Sequence, residues 1–98
     1  MAKLKIKRLI WDKHNIAHIA RHNVIPAEFE DVCYGKPIQR KGYSGRIVLI
    51  GLTRRKRMLS TVLEPMEQEG DYRPITAYDA SRKSRRDYLA EKGGEKAA

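Results

Sequence analysis

The chain has 98 residues, of which 41% are hydrophobic and 34% are charged, which fits one small globular domain rather than two domains or a disordered chain. The longest apolar run covers residues 47–52, whereas a membrane-spanning helix needs about 20 residues, so no membrane segment is expected. The basic N-terminus is not followed by the apolar stretch of a secretory signal, and we expect a cytoplasmic protein. Cys33 is the single cysteine, which excludes an internal disulfide and a thiolate zinc site.

Positive charge is the first informative feature of the sequence. The chain has 21 Lys and Arg residues against 12 Asp and Glu residues, a formal net charge of +9. Residues 32–63 contain Lys and Arg side chains but no acidic one. Such a segment indicates a polyanionic partner, and nucleic acid is the first candidate. The alternative is that these cations only keep a small protein soluble.

The order of secondary-structure signals predicts the elements of the fold. Asp12 is a suitable helix N-cap, Asn23 tolerates the left-handed position after a helix, and Pro26 fits the first turn of a helix. Apolar residues change from helical spacing to strand spacing at about Pro37. The predicted elements are a strand over 4–11 with a bulge, helices over 13–22 and from 26 to Gly35, strands over 38–41, 46–52, 57–63 and 72–78, and a helix over 82–92.

This order predicts an α+β domain, a small antiparallel sheet with two N-terminal helices and one C-terminal helix gathered on one side of it. The strand over residues 46–52 is the most apolar, so we expect it to be central and antiparallel to the strand over 57–63. Gly93 and Gly94 are expected to end the last helix. The domain would then cover residues 1–92, and residues 93–98 would form a disordered tail.

Three histidines, His14, His18 and His22, follow one side of the first predicted helix. The outer two would lie about 12 Å apart along the axis, too far for all three to bind one ion. We therefore expect no metal and no other cofactor. The chain also lacks the sequence motifs of nucleotide-binding loops, serine hydrolases and zinc proteases.

Several segments form a recognisable set of motifs. They are Ile10-Trp11-Asp12, His18 to Val24, Pro26 and Glu28, Gly45 to Gly51, Arg57-Met58-Leu59, and the basic last helix with Arg82, Arg85, Arg86 and Tyr88. Together these segments resemble BrnT-type toxins, which are similar to RelE-like ribonuclease toxins. Tyr78 stands where an Arg is common in that family, and Ser84 where a Glu is common.

The resemblance implies a RelE-like fold and the toxin of a type II toxin–antitoxin system. It implies a metal-independent ribonuclease that inhibits translation, and a small antitoxin protein that binds and neutralises it. RNA would be the substrate. Two alternatives stay open at this point: a noncatalytic RNA- or DNA-binding module, and a protein-interaction domain of the same fold.

Cleavage of RNA without a metal needs a base for the 2′-hydroxyl, cations near the phosphate and an acid for the leaving oxygen. His22 best matches the family motif and is the candidate for proton transfer, with Tyr78 as its substitute. Arg46 and Arg57 are expected to face the last helix, so that a phosphate lies between them and that helix. The predicted catalytic residues are His22, Arg57, Arg85 and Tyr78, and the predicted RNA-binding residues are Arg46, Arg54, Arg55, Lys56, Arg82 and Arg86.

Overall fold

A computed structural model describes the backbone of residues 4–97 and the side chains of residues 4–93. It contains a five-stranded sheet and three α-helices, which confirms the predicted α+β class. A single 3₁₀ turn at Tyr43–Gly45 joins the second and third strands. In chain order the elements are β1 (Arg8–Leu9), α1 (Lys13–Ala20), α2 (Pro26–Cys33), β2 (Ile38–Lys41), β3 (Ile47–Leu52), β4 (Met58–Pro65), β5 (Asp71–Asp79) and α3 (Arg82–Ala97).

The first strand is much shorter than predicted, and it makes the sheet mixed rather than purely antiparallel. Only Arg8 and Leu9 form a strand, and they pair with β5 in parallel. Leu4 and Ile6 still pack against the hydrophobic core, as their alternation with lysines suggested. The alternation therefore identified the half-buried side chains that face the core, but it does not show which strand the segment pairs with.

The first two helices begin where the sequence predicted. Asp12 caps α1, since its Oδ1 accepts from the backbone N–H of Asn15 at 2.8 Å. α1 ends at Ala20, two residues before the predicted end, so His22 lies in the turn that follows. Asn23 has φ of 59°, the left-handed conformation expected of it. This turn connects α1 to α2.

The strand order is β1-β5-β4-β3-β2, so β4 and not β3 is the central strand. β3 is antiparallel to β4 as predicted, and the hairpin between them places Leu52 opposite Met58. The first half of β4 is buried continuously, which is the property that the sequence analysis attributed to β3. An irregularity between Val62 and Leu63 leaves one extra residue in β5.

The core has two parts because helices cover both faces of the sheet. α1 and α2 pack over the larger part, which contains Ile19, Phe29, Leu59 and Leu63. α3 lies on the opposite face, where Tyr88 joins Ile38, Ile50 and Met58. The expectation that all three helices lie on one side is therefore wrong. Alternate residues of β3 and β4 belong to different parts of the core, so both faces of these strands need a cover.

α3 runs past Gly93 and Gly94 to Ala97, so the expected end of the helix at these glycines is wrong. A glycine costs a helix only about 1 kcal/mol relative to alanine, which does not stop a helix unless the chain also turns into a left-handed cap. The expected domain over residues 1–92 and disordered tail over 93–98 stay predictions.

Candidate functional site

His22 and Tyr78, two of the predicted catalytic residues, are neighbours at one end of β5. Their ring centroids are 6.1 Å apart with the rings tilted edge to face. His18 precedes His22 by one helical turn, and their ring centroids are 6.4 Å apart. α1 packs mainly against β5, so its histidines form a row beside this strand. We refer to His14, His18 and His22 as the histidine row.

Arg57, a third predicted catalytic residue, lies beside His22 but its guanidinium holds other protein groups. Its Nε donates to Asp79 Oδ1 at 3.0 Å, and its Nη2 donates to the backbone oxygen of His22 at 3.1 Å. Its Nη1 donates to the backbone oxygen of Asn23 and lies 3.3 Å from both carboxylate oxygens of Glu28. Partial burial lowers the pKa of Arg57, but its hydrogen bonds and charge contacts with Asp79 and Glu28 outweigh burial and raise it overall.

These contacts contradict the expectation that Arg46 and Arg57 face α3 together. Arg57 points to the turn between α1 and α2, and it lies opposite Thr53 at the closed end of the β3–β4 hairpin. Arg46 precedes β3 at the open end and lies seven positions before Thr53, which is about 23 Å along an extended chain. One phosphate cannot be bound by both arginines.

Arg46 belongs instead to a groove between α1 and the open end of the sheet. Its Nε is 3.5 Å from Glu64 Oε1, and Glu64 is the cross-strand partner of Arg73. The groove has a volume of about 250 Å³. We call it the α1 groove, and it is lined by His14, Asn15, His18, Arg46, Glu64, Arg73, Pro74 and Ile75.

Glu64 and Arg73 were not among the predicted site residues. Glu64 begins an acidic stretch that has the composition of an ordinary loop, and Arg73 lies near the start of a predicted strand. Their position beside Arg46 depends on the register of three strands and on the irregularity in β5. No local pattern in the sequence indicates either feature.

The predicted hairpin residues Arg54, Arg55 and Lys56 are all exposed, but they differ in their partners. Arg54 is tied to α2, since its backbone N–H donates to Asp31 Oδ2 at 3.0 Å and its Nε is 3.4 Å from Asp31 Oδ1. Lys56 has φ of 70° at the turn. Among the described residues, Arg55 and Lys56 have no ion-pair partner.

α3 carries a basic stripe on its outer side. Tyr88 points into the core, whereas Leu89 is 62% exposed. Arg82, Arg85 and Arg86 are exposed on the same side as Leu89, and no acidic side chain among residues 4–93 pairs with them. We call these four residues the α3 stripe. The inner side of α3 is held by Arg40 of β2, which contacts Asp87 at 3.9 Å and also pairs with Glu91.

The thiol of Cys33 is buried, and the described side chains that could bind a metal are not grouped together. Burial raises the pKa of the Cys33 thiol to about 12, and its sulfur lies 3.8 Å from the hydroxyl of Thr61. Within the part of the chain that the structure describes, no three His, Cys, Asp or Glu side chains are grouped as metal ligands. Over the same residues, no helix is both long and apolar enough to cross a membrane.

Comparison with known proteins identifies the fold. No protein-family model matches the chain, and no curated protein matches it. Among solved structures, the chain is similar to the 1.1 Å crystal structure of the Brucella abortus ribonuclease toxin BrnT, at 22% sequence identity and a TM-score of 0.60. The similarity covers 82% of this chain and 100% of that toxin. The chain therefore has a BrnT-type fold, as its sequence motifs suggested.

Proposed function

We propose that this protein is the toxin of a type II toxin–antitoxin pair and acts as a metal-independent ribonuclease. The observation that carries the proposal is the fold, which the chain shares with a ribonuclease toxin over that protein's whole length. The net charge of +9 and the exposed α3 stripe supply cations for an RNA backbone. The partner would be a small antitoxin protein, and the compartment would be the cytoplasm.

In the proposed reaction His22 transfers a proton and Tyr78 supports it. The two rings are 6.1 Å apart, and both side chains are exposed to a substrate. An imidazole is suited to either direction of proton transfer near neutral pH. A phenol beside it can donate a hydrogen bond or stack on an unpaired base.

Arg57 has a positioning role in this proposal, because it holds the backbone oxygen of His22 at 3.1 Å and thereby fixes the turn that presents the imidazole. Arg85 lies on α3, on the opposite face of the sheet from the helix that carries the histidine row, so in this proposal it contacts the RNA backbone rather than the reacting phosphate. A guanidinium suits that contact because it can donate to two phosphate oxygens at once. The remaining contacts with RNA are made by cations on separate elements, namely the half-buried Arg46 and the exposed Arg54, Arg55, Lys56, Arg82 and Arg86.

The direct test is cleavage of single-stranded RNA by the purified protein in the presence of a chelator. His22→Ala should reduce the rate by about 100-fold or more, the usual contribution of a positioned acid or base. Tyr78→Phe should reduce it less, because the ring remains. Lys5→Ala removes one exposed charge outside the proposed site and is the matched control. Thermal unfolding of each variant separates lost chemistry from lost structure.

Cells provide the second readout. Expression of the wild-type protein should arrest growth and shorten transcripts, and folded His22→Ala should not. If the wild type binds RNA without cleaving it, the noncatalytic binding module is correct. If it does not bind RNA even at low salt, the basic surface serves a protein partner and the interaction domain is correct.

A further inference from the structure

The α1 groove contains two arginines on either side of one carboxylate. Arg46 directly precedes β3, Glu64 belongs to β4 and Arg73 to β5, so the three side chains form a row across the open end of the sheet. His14 and His18 form the opposite wall. With neutral imidazoles, the lining side chains have a formal charge of +1.

The hydrogen-bonding capacity of both arginines is incompletely used. Arg46 Nε is inaccessible to solvent and makes no hydrogen bond with any described residue, although Glu64 is 3.5 Å away. Arg73 Nη2 is 3.9 Å from Asp12 Oδ2. The two groups form an ion pair, but this distance is too long for a hydrogen bond. A buried donor without an acceptor is unfavourable, and partly exposed ion pairs of this length contribute little.

We infer that the α1 groove is a phosphate-binding subsite, in which Arg46 and Arg73 hold one backbone phosphate of the RNA that the proposed function takes as substrate. A tetrahedral oxyanion in the groove can accept charge-assisted hydrogen bonds from the Nη groups of both arginines, whereas the buried Nε of Arg46 is out of its reach. Arginine suits this task because its planar fork matches two phosphate oxygens. Glu64 keeps Arg46 in the groove before the phosphate arrives.

The location of the groove relates it to the proposed chemistry. The histidine row runs from His14 in the groove to His22 beside Tyr78, about 12 Å along the helix and the following turn. An RNA strand that lies along α1 would therefore contact the groove and the His22–Tyr78 pair together. The groove would hold a phosphate that is not cleaved and would fix the register of the one that is.

Binding can be tested on the wild-type protein without any cleavage. Inorganic phosphate is titrated into isotope-labelled protein, and the Nε–Hε signals of the arginines are followed by NMR. The signals of Arg46 and Arg73 should shift together with one affinity. The signal of Arg8 should not move, because its guanidinium already makes two hydrogen bonds to Asp71.

The contribution to nucleic-acid binding is measured with a short single-stranded DNA, which lacks the 2′-hydroxyl and is not cleaved. Arg73→Ala should weaken its affinity by about tenfold, the effect of one lost charge-assisted contact. Arg46→Lys should also weaken it, because lysine keeps the charge but loses the fork, and it leaves the groove filled if Arg46→Ala fails to fold. Lys5→Ala should change the affinity by much less than either variant.

The outcomes separate this inference from the proposed function. Shifts of Arg46 and Arg73 in a protein that does not cleave RNA would support the subsite and contradict the ribonuclease. Cleavage that is unchanged in folded Arg73→Ala and Arg46→Lys, with no phosphate-induced shifts, would support the ribonuclease and overturn the subsite. Shifts confined to arginines of the α3 stripe would also overturn it.

Discussion

Arg57 joins three parts of the molecule through one side chain. Its guanidinium donates to Asp79 at the end of β5 and to the backbone oxygens of His22 and Asn23 in the turn after α1. Its Nη1 also contacts Glu28 of α2 at 3.3 Å. Arg57 therefore fixes the turn that contains His22. Its replacement removes several hydrogen bonds of the fold as well as one positive charge.

We expect Arg57→Ala to lower the free energy of unfolding by about 1–3 kcal/mol, because two carboxylates and two carbonyl groups lose their donor. Urea denaturation gives this value directly. Arg55→Ala, at the exposed turn nearby, should change it by less than about 0.5 kcal/mol. Equal stability of the two variants would mean that the contacts of Arg57 do not persist in solution.

The thiol of Cys33 provides a probe of the packing beneath α2. Its pKa is raised to about 12 by burial, so almost no thiolate is present at pH 8. Native protein should react with a thiol-specific alkylating reagent far more slowly than protein unfolded in urea. Rapid modification of the native protein would show that α2 opens frequently from the sheet.

At the scale of elements, β1 contributes two residues to the sheet, and one ion pair adds to its backbone pairing with β5. Arg8 Nη2 lies 2.6 Å from Asp71 Oδ2, and its Nε donates to Oδ1 at 3.1 Å. The hydrogen bonds from Arg8 lower the pKa of Asp71 below its ordinary value of 3.8, although burial acts in the opposite direction. The ionised carboxylate is therefore the form that stabilises the fold.

This pKa shift predicts how the stability depends on pH. A depressed pKa in the folded state contributes stability above the pKa of the unfolded state, and this contribution is lost as the pH falls through the folded value. Asp71→Asn should lower the Tm at pH 7, and the difference from the wild type should vanish in strongly acidic solution. A difference that is the same at all pH values would assign the effect to packing rather than charge.

The sequence predicted the positions of most elements, but less of their arrangement. Asp12, Asn23 and Pro26 mark helix ends through local hydrogen bonding and backbone preference, and those ends agree with the structure to within two residues. The strand order and the placement of α3 on the second face depend on contacts between distant residues. The same limit applies to the site, since His22 and Tyr78 were both predicted but Arg73 and Glu64 were not.

At the scale of the whole molecule, the positive charge is unevenly compensated. Arg8, Arg40, Arg54 and Arg57 each contact a carboxylate within 4 Å, so they contribute little to the outer field. The arginines of the α3 stripe have no such partner among the described residues. The surface of α3 is therefore where an RNA backbone should gain most from counterion release.

We expect the logarithm of the affinity for single-stranded RNA to fall linearly with the logarithm of the salt concentration. Each phosphate contact contributes about 0.7 to that slope, so replacing Arg82, Arg85 and Arg86 by Ala should reduce it by about 2. The double variant Arg55→Ala and Lys56→Ala is the comparison at the hairpin turn. A larger loss of slope in that variant would place the main RNA contact at the hairpin instead.

The pairing of β1 with β5 also affects the order in which the parts of the fold form. Arg8 and Asp71 are 63 residues apart in sequence, and contacts of such separation form late because closing a long loop costs entropy. β2, β3 and β4 pair with neighbours in the chain. β1 leads directly into α1, so the helix that carries His14 and His18 docks only after β5 has been synthesised. The α1 groove, which Arg73, Pro74 and Ile75 of β5 help to line, therefore forms only after β5 has been synthesised.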